Sequence, residues 1–421
     1  KMREFFEEHY VAGNIRVAIL GANPIDELRA MAIQAFGSLP VKQPPVSSVS
    51  TPKTVPFQTA PFGQKTLFCE TTTPQSTSPF YGPRELGRFV ELQTLADSAT
   101  LSIHFFLPGQ RANSRENHER LLCSLLTAEG PSSLETRLSS SGLAQGVSAS
   151  FASPCSNYSE FEICIALTAL GRQKHRKVLT EVAKTLAALR QEKISASSAE
   201  DVRSAAKLAF DFAKKSQPTA ACLTVIDRPQ GVPVQECLVW RSQIGQFRSH
   251  LMEAILEELT LDKAIVVLAG GKEAEKGEIE PLLGARYAVR KFSKTEISAF
   301  NQPTLSPSEI ASLSTPPEPV TLPRNLAMLP PGEATTPQPL DGGQSRVFYQ
   351  RQTNFGRPRV VALFAVSHGL AAPRPLLSAA LRVFDAWFRR SARPLLRRAA
   401  RAQAKFSLSA GLERMWLSLR C

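Results

Sequence analysis

The pattern of apolar and polar positions divides the chain into helices and strands. Apolar residues recur at helical spacing and predict helices over residues 115–127, 132–140, 174–191, 200–215 and 248–259. Short alternating or continuous apolar runs predict strands over residues 88–95, 100–107, 146–152, 158–167 and 264–269. Because the strands occur in groups and the helices are long, the pattern favours an α+β fold over strict βαβ alternation.

The first 37 residues predict a helix, a short strand and a second helix. Residues 5–10 carry a helical stripe of aromatic side chains, and residues 15–20 form an apolar run that predicts a strand. Asn23 is expected to cap the second helix, with Pro24 at its first position. The face of this helix that we expect to be buried comprises Ile25, Leu28, Met31, Ala32 and Phe36.

A helix break lies at residues 130–131, which are Gly-Pro. Ser132 is expected to cap the helix that follows, because Glu135 stands three residues later, as a capping box requires. Leu134 and Leu138 fall on one face of that helix. The segment therefore predicts a hinge between two helices.

Two stretches have the composition of linkers. Residues 38–62 are rich in Pro, Ser, Thr and Val, and residues 301–344 are again rich in Pro, Ser and Thr. After the second stretch, residues 346–350 and 359–367 predict strands, and an arginine-rich helix is predicted from residue 373 onward. A central folded unit is therefore expected between two linkers.

The net charge of +13 is concentrated near the C-terminal end. Residues 374–421 carry eleven Lys or Arg and two acidic residues, which gives +9 and leaves +4 for the rest of the chain. Such a basic amphipathic segment binds an acidic membrane surface, a nucleic acid or an acidic partner, and it is also typical of a helix in an interrupted domain. We favour the interrupted domain, expect no specific nucleic acid, and keep membrane contact by residues 374–421 as the less favoured alternative.

Seven cysteines are spread along the chain without a C-x-x-C motif, and their number is odd. Free thiols in a reducing compartment are therefore expected, which favours a cytoplasmic location. No run of about 18 uninterrupted apolar residues occurs, so no transmembrane helix is expected. The chain starts at Lys1 within a charged amphipathic pattern, which we interpret as an internal fragment of a longer protein.

Short motifs, ordered along residues 3–367, resemble the insulysin/pitrilysin metallopeptidases. The run Phe5-Phe6-x2-His9-Tyr10, followed by Asn14 and Gly21, resembles the end of that family's first domain. Motifs similar to the second domain are Phe105-Phe106-Leu107-Pro108, Glu129-Gly130-Pro131-Ser132-Ser133-Leu134, Leu138-x3-Gly142 and Leu167-Thr168-x2-Gly171. Residues 346–359 resemble the opening of the third domain. Because the matches are collinear, the set is more specific than any one of them.

The resemblance implies four related α+β roll domains, each a mixed sheet packed by helices, which form two bowl-shaped halves around a peptide. One complete and two partial roll domains are then expected here. Residues 1–50 correspond to the end of the first, catalytic-type domain, and residues 51–300 to the complete second domain. Residues 301–344 correspond to the linker between the halves, and residues 345–421 to the start of the third domain with a divergent arginine-rich end.

Peptidases of this family hold zinc with the motif H-x-x-E-H on a helix, and the motif Glu activates water. None of the six histidines begins that motif; they are His9, His104, His118, His175, His250 and His368. For the nearest pair, His118-Glu119, we expect a solvated helix face. In the family the motif lies upstream of the segment that matches residues 3–36, so truncation and degeneration both explain its absence. We therefore expect zinc in the full-length family member, and no metal ligand, catalytic residue or peptide hydrolysis in this chain alone.

One binding function is implied by the resemblance. In insulysin-like enzymes an edge strand of the second domain pairs with the N-terminal part of a peptide through main-chain hydrogen bonds, which tolerate many sequences. The matching strand follows Gly142, and its exosite residues are Val147, Ser148, Ala149 and Phe151. The family tends to have glycines where this chain has a Ser-Ala-Ser run. The alternative interpretation is an ordinary sheet strand.

The leading hypothesis is the non-catalytic substrate-chamber portion of an insulysin-like zinc metalloendopeptidase, which degrades peptides in its full-length form. The partners expected on this hypothesis are a peptide substrate and the remaining peptidase domains. One alternative is a zinc-free structural or pseudo-peptidase relative, similar to processing-peptidase and respiratory core subunits; another is a binding module driven by residues 374–421. The linker at 301–344, followed by a third-domain opening, favours the long peptidase because those two-domain relatives end before it.

Overall fold

A computed structural model describes residues 1–12, 15–39, 81–82, 84–94, 98–108, 116–128, 130, 132–152, 158–192, 194–214, 216–227, 234–240, 242–271, 273–313, 322–323, 325–328, 330, 336–340, 346–351, 358–367, 375–410 and 414–420. Most of the first predicted linker, hinge residues 129 and 131, and His368 lie outside these ranges. The chain divides into two compact units. Unit 1 comprises Lys1–Ala199 and Lys214–Thr315, and unit 2 comprises Glu200–Ala213 and Pro316–Cys421.

Twelve strands occur in the described residues. Those of unit 1 are β1 (Arg88–Leu92), β2 (Ala99–Pro108), β3 (Ala144–Ala152), β4 (Tyr158–Leu167), β5 (Ala264–Ala269), β6 (Glu278–Ile279) and β7 (Arg286–Lys291). Those of unit 2 are β8 (Gln338–Leu340), β9 (Val347–Tyr349), β10 (Val361–Ser367), β11 (Lys405–Ala410) and β12 (Arg414–Arg420). All five strands predicted between residues 88 and 269 are present.

Thirteen α-helices lie in the same described ranges. They are α1 (Met2–His9), α2 (Ile25–Phe36), α3 (His118–Leu126), α4 (Leu134–Ser140), α5 (Ala169–Gln173), α6 (His175–Gln191), α7 (Ala196–Asp211), α8 (Pro218–Ile226), α9 (Ser249–Glu258), α10 (Lys294–Asn301), α11 (Pro307–Leu313), α12 (Pro375–Ser391) and α13 (Arg393–Arg401). The five helices predicted between residues 115 and 259 are all present. In this described part of the chain, no helix has both the length and the apolarity that a membrane span requires.

Unit 1 is built on a mixed seven-stranded sheet with the strand order β3-β4-β2-β5-β1-β7-β6. β1 pairs in parallel with β5, whereas the other neighbouring strands are antiparallel. Phe105 of β2 is in register with Phe161 of β4 and with Ala264 of β5, so residues far apart in sequence meet in this sheet. Helices α3 and α4 pack on β3, and α9 packs on β2. A mixed sheet packed by helices confirms the predicted α+β class.

One face of this sheet forms the core of unit 1. Leu101, Ile103, Phe105 and Leu107 alternate along β2 and are at most 1% exposed, whereas the residues between them are partly exposed. The same alternation occurs along β4 and β5. Because burial of apolar side chains is the main favourable term in folding, this face stabilises unit 1. The intervening side chains lie on the opposite face, which is partly exposed and is called the open face.

The beginning of unit 1 differs from two expectations. Residues 15–20 form no strand, because no described strand pairs with them and an isolated strand is not stable in water. The Asn23 side chain does not cap α2, whose N-cap residue is Pro24. No residue of α2 is buried, and Ile25 and Met31 on its expected inner face are both 50% exposed. The apolar face of α2 is therefore an uncovered surface.

Unit 2 contains a three-stranded antiparallel sheet with the order β10-β12-β11, and a separate hairpin of β8 and β9. Helices α12 and α13 pack on β11. The predicted arginine-rich helix is present but divided into α12 and α13, and α13 has a proline in its first turn. The second predicted linker, residues 301–344, is not wholly irregular, since it includes α11 and β8.

Candidate functional site

β3 is one edge of the seven-stranded sheet. It pairs with β4 on one side, and among the described strands none pairs with its other side. In an antiparallel ladder, alternate residues of such an edge direct their N–H and C=O groups away from the sheet. The predicted exosite residues Val147, Ser148, Ala149 and Phe151 all lie on β3, so the structure brings them together on one unpaired edge.

Side chains of β3 alternate between the two faces of the sheet. Val147 is 6% exposed on the face covered by helices, and Ala149 and Phe151 on the same side are partly exposed. Ser148 and Ser150 are exposed on the open face. The outer edge of β3 is therefore mainly a main-chain surface with small side chains on the open side.

The start of β3 is held by contacts between two of the quoted motifs. Gly142 adopts a φ of +67°, a conformation that favours glycine, just before the strand. Thr168 Oγ1 donates to the Gly142 carbonyl at 2.6 Å and accepts from the Gly171 N–H at 2.9 Å. A Cβ on Gly171 would lie 1.8 Å from the Leu143 carbonyl oxygen, so the site accepts only glycine. These contacts fix the position from which β3 runs along the sheet edge.

Helix α4 supports β3 from the covered face. Its N-cap is Ser133, whose hydroxyl accepts a hydrogen bond from the backbone N–H three residues later at 3.2 Å. The predicted N-cap Ser132 is therefore wrong by one residue, and the predicted capping box with Glu135 does not form, because the residue three after Ser133 is Thr136. Leu134 and Leu138 are buried, as their spacing predicts.

The open face beside β3 carries a polar group that sequence reasoning missed. His104 Nδ1 on β2 lies 2.6 Å from Glu160 Oε1 on β4, and Ser150 Oγ donates to Glu162 Oε2 at 3.2 Å. The signal for this group was the placement of two acidic residues at alternate positions of an otherwise apolar strand. Their partners follow only from the strand register, which the sequence pattern does not determine.

His118 and Glu119 begin α3 and are 2% and 4% exposed, so the expected solvated helix face is wrong. The segment before α9 covers them. Asn117 Nδ2 donates to the Gln243 carbonyl at 2.7 Å, and the Arg248 N–H donates to His118 Nε2 at 2.9 Å. Local periodicity cannot show this contact, because Arg248 and His118 are 130 residues apart.

Burial sets the charge state of this cluster. Desolvation lowers the pKa of His118, although the nearby Glu116 carboxylate acts in the opposite direction. Desolvation also raises the pKa of Glu119, and it raises the pKa of the Cys123 thiol to about 12. The thiol is therefore protonated at neutral pH and is a poor nucleophile. The cluster has the properties of a packed structural element.

The described residues do not fit the zinc ion that the family resemblance implies. Among them, no group of three or more His, Cys, Asp or Glu side chains could hold a metal ion. His104 Nδ1 is in contact with Glu160, and His118 Nε2 accepts a backbone hydrogen bond, so neither nitrogen is available as a ligand. A structural or catalytic zinc needs three or four protein ligands. No catalytic step is therefore assigned to a metal in these residues.

Comparison with known proteins supports the fold and the family. Residues 1–206 match the family described as the Peptidase M16 inactive domain, and residues 210–420 match the middle or third domain of peptidase M16. Insulin-degrading enzyme of Drosophila melanogaster is 21% identical over 378 residues, which cover 89% of this chain and 35% of that protein. Human insulin-degrading enzyme is 19% identical over 380 residues, which cover 89% of this chain and 34% of that protein. The chain thus spans about a third of the length of these relatives.

A solved structure shows the same fold. The crystal structure of pitrilysin superposes with a TM-score of 0.72 at 18% identity, covering all of this chain and 42% of that chain. The two family matches together include nearly every residue of the chain. The resemblance inferred from the collinear motifs is therefore confirmed, and the chain belongs to the M16 peptidase family.

Proposed function

We propose that the chain forms the non-catalytic substrate-chamber portion of an M16 zinc metalloendopeptidase, and that β3 binds an extended peptide. The observation that carries this proposal is the position of β3 at the sheet edge, where its outer side has no described partner strand. The match to an inactive M16 domain supports binding rather than hydrolysis. The relatives are about three times longer, so other segments of a full-length protein would supply the catalytic chemistry.

Peptide binding at β3 would extend the sheet by one strand. Main-chain hydrogen bonds provide the affinity, so the site would accept many peptide sequences. Four or five such bonds, at about 1 kcal/mol each, give a dissociation constant on the order of 0.1–1 mM for the edge alone. Side chains of the peptide would lie beside the exposed hydroxyls of Ser148 and Ser150 and the carboxylate of Glu162. A weak, sequence-tolerant exosite is the expected behaviour.

Paired proline substitutions test this proposal. Proline removes one N–H, and adjacent residues of β3 direct their N–H groups to opposite sides. Of Ser148→Pro and Ala149→Pro, we therefore expect one to weaken binding of a fluorescent peptide at least about fivefold with little loss of stability. The other removes a hydrogen bond to β4 and should cost about 2 kcal/mol of unfolding free energy. Fluorescence anisotropy and urea unfolding of the whole chain measure the two effects.

Lys294→Pro is the matched control for those variants. Lys294 is the exposed first residue of α10, where proline needs no hydrogen-bonded N–H. Peptide binding and stability should both stay at their original values in this variant. If both β3 variants remain folded and bind the peptide as the original chain does, β3 is not the binding edge.

We propose further that zinc belongs to the full-length peptidase and that this chain alone binds no stoichiometric zinc. The support is the lack of H-x-x-E-H in the sequence and of a metal-ligand group among the described residues. Metal analysis after dialysis against zinc, together with cleavage of a quenched peptide, measures this directly. A zinc-loaded preparation that cleaves the peptide would overturn the proposal.

We retain the proposed division at residues 50, 300 and 344 into the end of a first domain, a second domain, a linker and a third domain. The support is that β1 to β7, from residues 88 to 291, form one sheet. The boundary between the two family matches lies instead at residues 206–210, near the end of α7. Limited proteolysis should therefore cut near residues 314–344 before it cuts near residue 208.

The remaining peptidase domains are the proposed partners of α2. On this helix, four apolar side chains are 43–60% exposed and form a surface suited to a further domain; they are Ile25, Met31, Ile33 and Phe36.

We also propose a reducing, cytoplasmic compartment, supported by the free thiols at Cys123, Cys164, Cys222 and Cys237. Both proposals are testable in the full-length protein, by crosslinking at α2 and by fractionation.

A further inference from the structure

Helix α12 has two apolar sides, and one of them is packed within unit 2. Leu381 and Phe388 on this side are half-buried, and the rings of Phe388 and Phe406 lie 5.7 Å apart. Arg389 donates to the Leu408 carbonyl at 2.8 Å, which ties the helix to β11. This side accounts for the apolar face that the sequence pattern predicts.

The other side of α12 is an exposed apolar stripe, formed by Leu376, Val383 and Trp387. These side chains are 83%, 68% and 59% exposed. Their spacing of seven and four residues places them in one row along the helix, away from the row that contains Leu381 and Phe388. A row of large apolar side chains in water is unusual on a helix whose other side is already packed.

The charge around this stripe is strongly positive. Residues 375–410 contain eight Lys or Arg, and Asp385 is the single acidic residue among them. Asp385 is paired with Arg389 at 2.9 Å, so this carboxylate is already neutralised locally. Arg382 and Arg390 are exposed on α12, and Arg398 is exposed on α13. The stripe is therefore flanked by a basic surface.

We propose that the stripe of Leu376, Val383 and Trp387 docks on the surface of an anionic phospholipid bilayer. A helix that combines exposed Trp and aliphatic side chains with many arginines lies in the bilayer interface, where the apolar row enters the acyl boundary. The arginines then contact the anionic headgroups, and each adds to the attraction within a Debye length. Trp is suited to this position because its ring is amphipathic.

Charge complementarity together with the apolar stripe favours the bilayer over other anionic surfaces. A nucleic acid would neutralise the arginines but would leave Leu376, Val383 and Trp387 in water. A second copy of the chain would carry the same positive charge, so pairing of two such surfaces would be opposed by like-charge repulsion. An anionic bilayer contacts the arginines through its headgroups and also removes the apolar stripe from water.

Vesicle binding by the whole chain tests this proposal. We compare phosphatidylcholine vesicles with vesicles that contain about one quarter phosphatidylserine, at about 0.1 M and about 0.5 M salt. Binding is expected for the anionic vesicles alone and should weaken at least about tenfold at the higher salt. Val383→Ser and Trp387→Ser should each weaken it about tenfold, whereas Trp387→Phe should bind nearly as the original chain does. Leu282→Ser, at an 87% exposed position of unit 1, is the matched control and should bind unchanged.

Brominated lipids provide a second measurement on the unaltered chain. They should quench part of its tryptophan emission, and Trp387→Phe should remove that quenching while vesicle binding is retained. Equal binding to phosphatidylcholine, or unchanged binding of the two serine variants with native circular dichroism, would overturn the proposal. Dimerisation in light scattering that the serine variants abolish would assign the stripe to a second copy. Duplex DNA binding that persists in the serine variants, without vesicle binding, would assign the arginines to nucleic acid.

Discussion

The sheets of the two units differ in how their apolar side chains are covered. In unit 1, alternate residues of β2, β4 and β5 are buried on one face. In unit 2, Leu363 and Phe364 on adjacent positions of β10 are 65% and 56% exposed, and Leu408 is the buried apolar residue among the described residues 316–420. Apolar runs predict β1 to β5 in unit 1, and they predict β9 and β10 in unit 2. The comparison teaches that such a run identifies a strand but not what covers its faces.

A matched pair of leucines gives the largest expected difference between the units. Leu101 on β2 is 0% exposed and lies among other buried side chains, so Leu101→Ala should cost about 3–5 kcal/mol of unfolding free energy. Leu408 on β11 is 3% exposed but has fewer buried neighbours, so Leu408→Ala should cost about 1–2 kcal/mol. Urea unfolding followed by far-ultraviolet circular dichroism measures both. Equal costs would show that the two cores are packed alike.

A glycine pair tests how tightly the start of β3 is held. Gly171→Ala places a Cβ against backbone, 1.8 Å from the Leu143 carbonyl oxygen, so we expect a loss of about 2–3 kcal/mol. Gly130→Ala is the control, since no atom lies within 4 Å of the added Cβ and the change should be within about 0.5 kcal/mol. Thermal unfolding of both variants is the measurement. A tolerated Gly171→Ala would mean that β3 is no more constrained than the loosely covered strands of unit 2.

The sequence predicts β1 to β5 of unit 1 well because periodicity is a local property, whereas β6 and β7 are not predicted. The bounds of β4 and the burial of Leu134 and Leu138 follow from apolar spacing alone. The position of β3 at the edge came from the family resemblance, since strand order depends on contacts between distant segments. The same reason explains the missed His104–Glu160 pair and the buried His118.

The uncovered surfaces were the least predictable feature. The pattern of α2 is that of a helix with a buried face, yet none of its residues is buried. Helix α12 has a second apolar row that a one-face interpretation overlooks, as the 68% exposure of Val383 shows. Periodicity reports which side chains could be buried together. It does not report whether a covering surface belongs to the same chain.

A pH-dependent contribution is expected from the cluster at α3 of unit 1. Burial lowers the pKa of His118 below its ordinary value of 6.5. At pH values between the folded-state pKa and 6.5, the unfolded chain therefore binds a proton that the folded chain does not bind. This contribution to stability is present above pH 6.5 and is lost as the pH falls toward the folded-state pKa. The charged groups that face His118 are Glu116, Arg248 and His250. Burial raises the pKa of Glu119 above its ordinary value of 4.5, so the contribution of Glu119 to stability is lost as the pH rises.

His118→Gln in a Glu119→Gln background isolates the histidine. The unfolding free energy of the Glu119→Gln chain should rise with pH toward 6.5, and the added His118→Gln should flatten that rise. Urea titrations at a series of pH values measure both slopes. Parallel slopes in the two chains would mean that His118 is solvated, as the α12 surface of unit 2 is.

The smallest expected effect concerns Glu309 of α11, which accepts a hydrogen bond from Lys184 of α6 at 2.8 Å. The lysine, together with Ser306, lowers the pKa of this exposed carboxyl to about 2. The interaction is therefore present above pH 4.5 and is lost as the pH falls through about 2, with little effect on stability because surface pairs contribute little. Lys184→Met should raise the pKa of Glu309 toward 4.5, measured by NMR titration, whereas Lys207→Met on α7 should leave it unchanged. An original chain in which Glu309 titrates near 4.5 would mean that α11 is not held on α6, and residues 301–313 would then belong with the loosely covered part of the molecule.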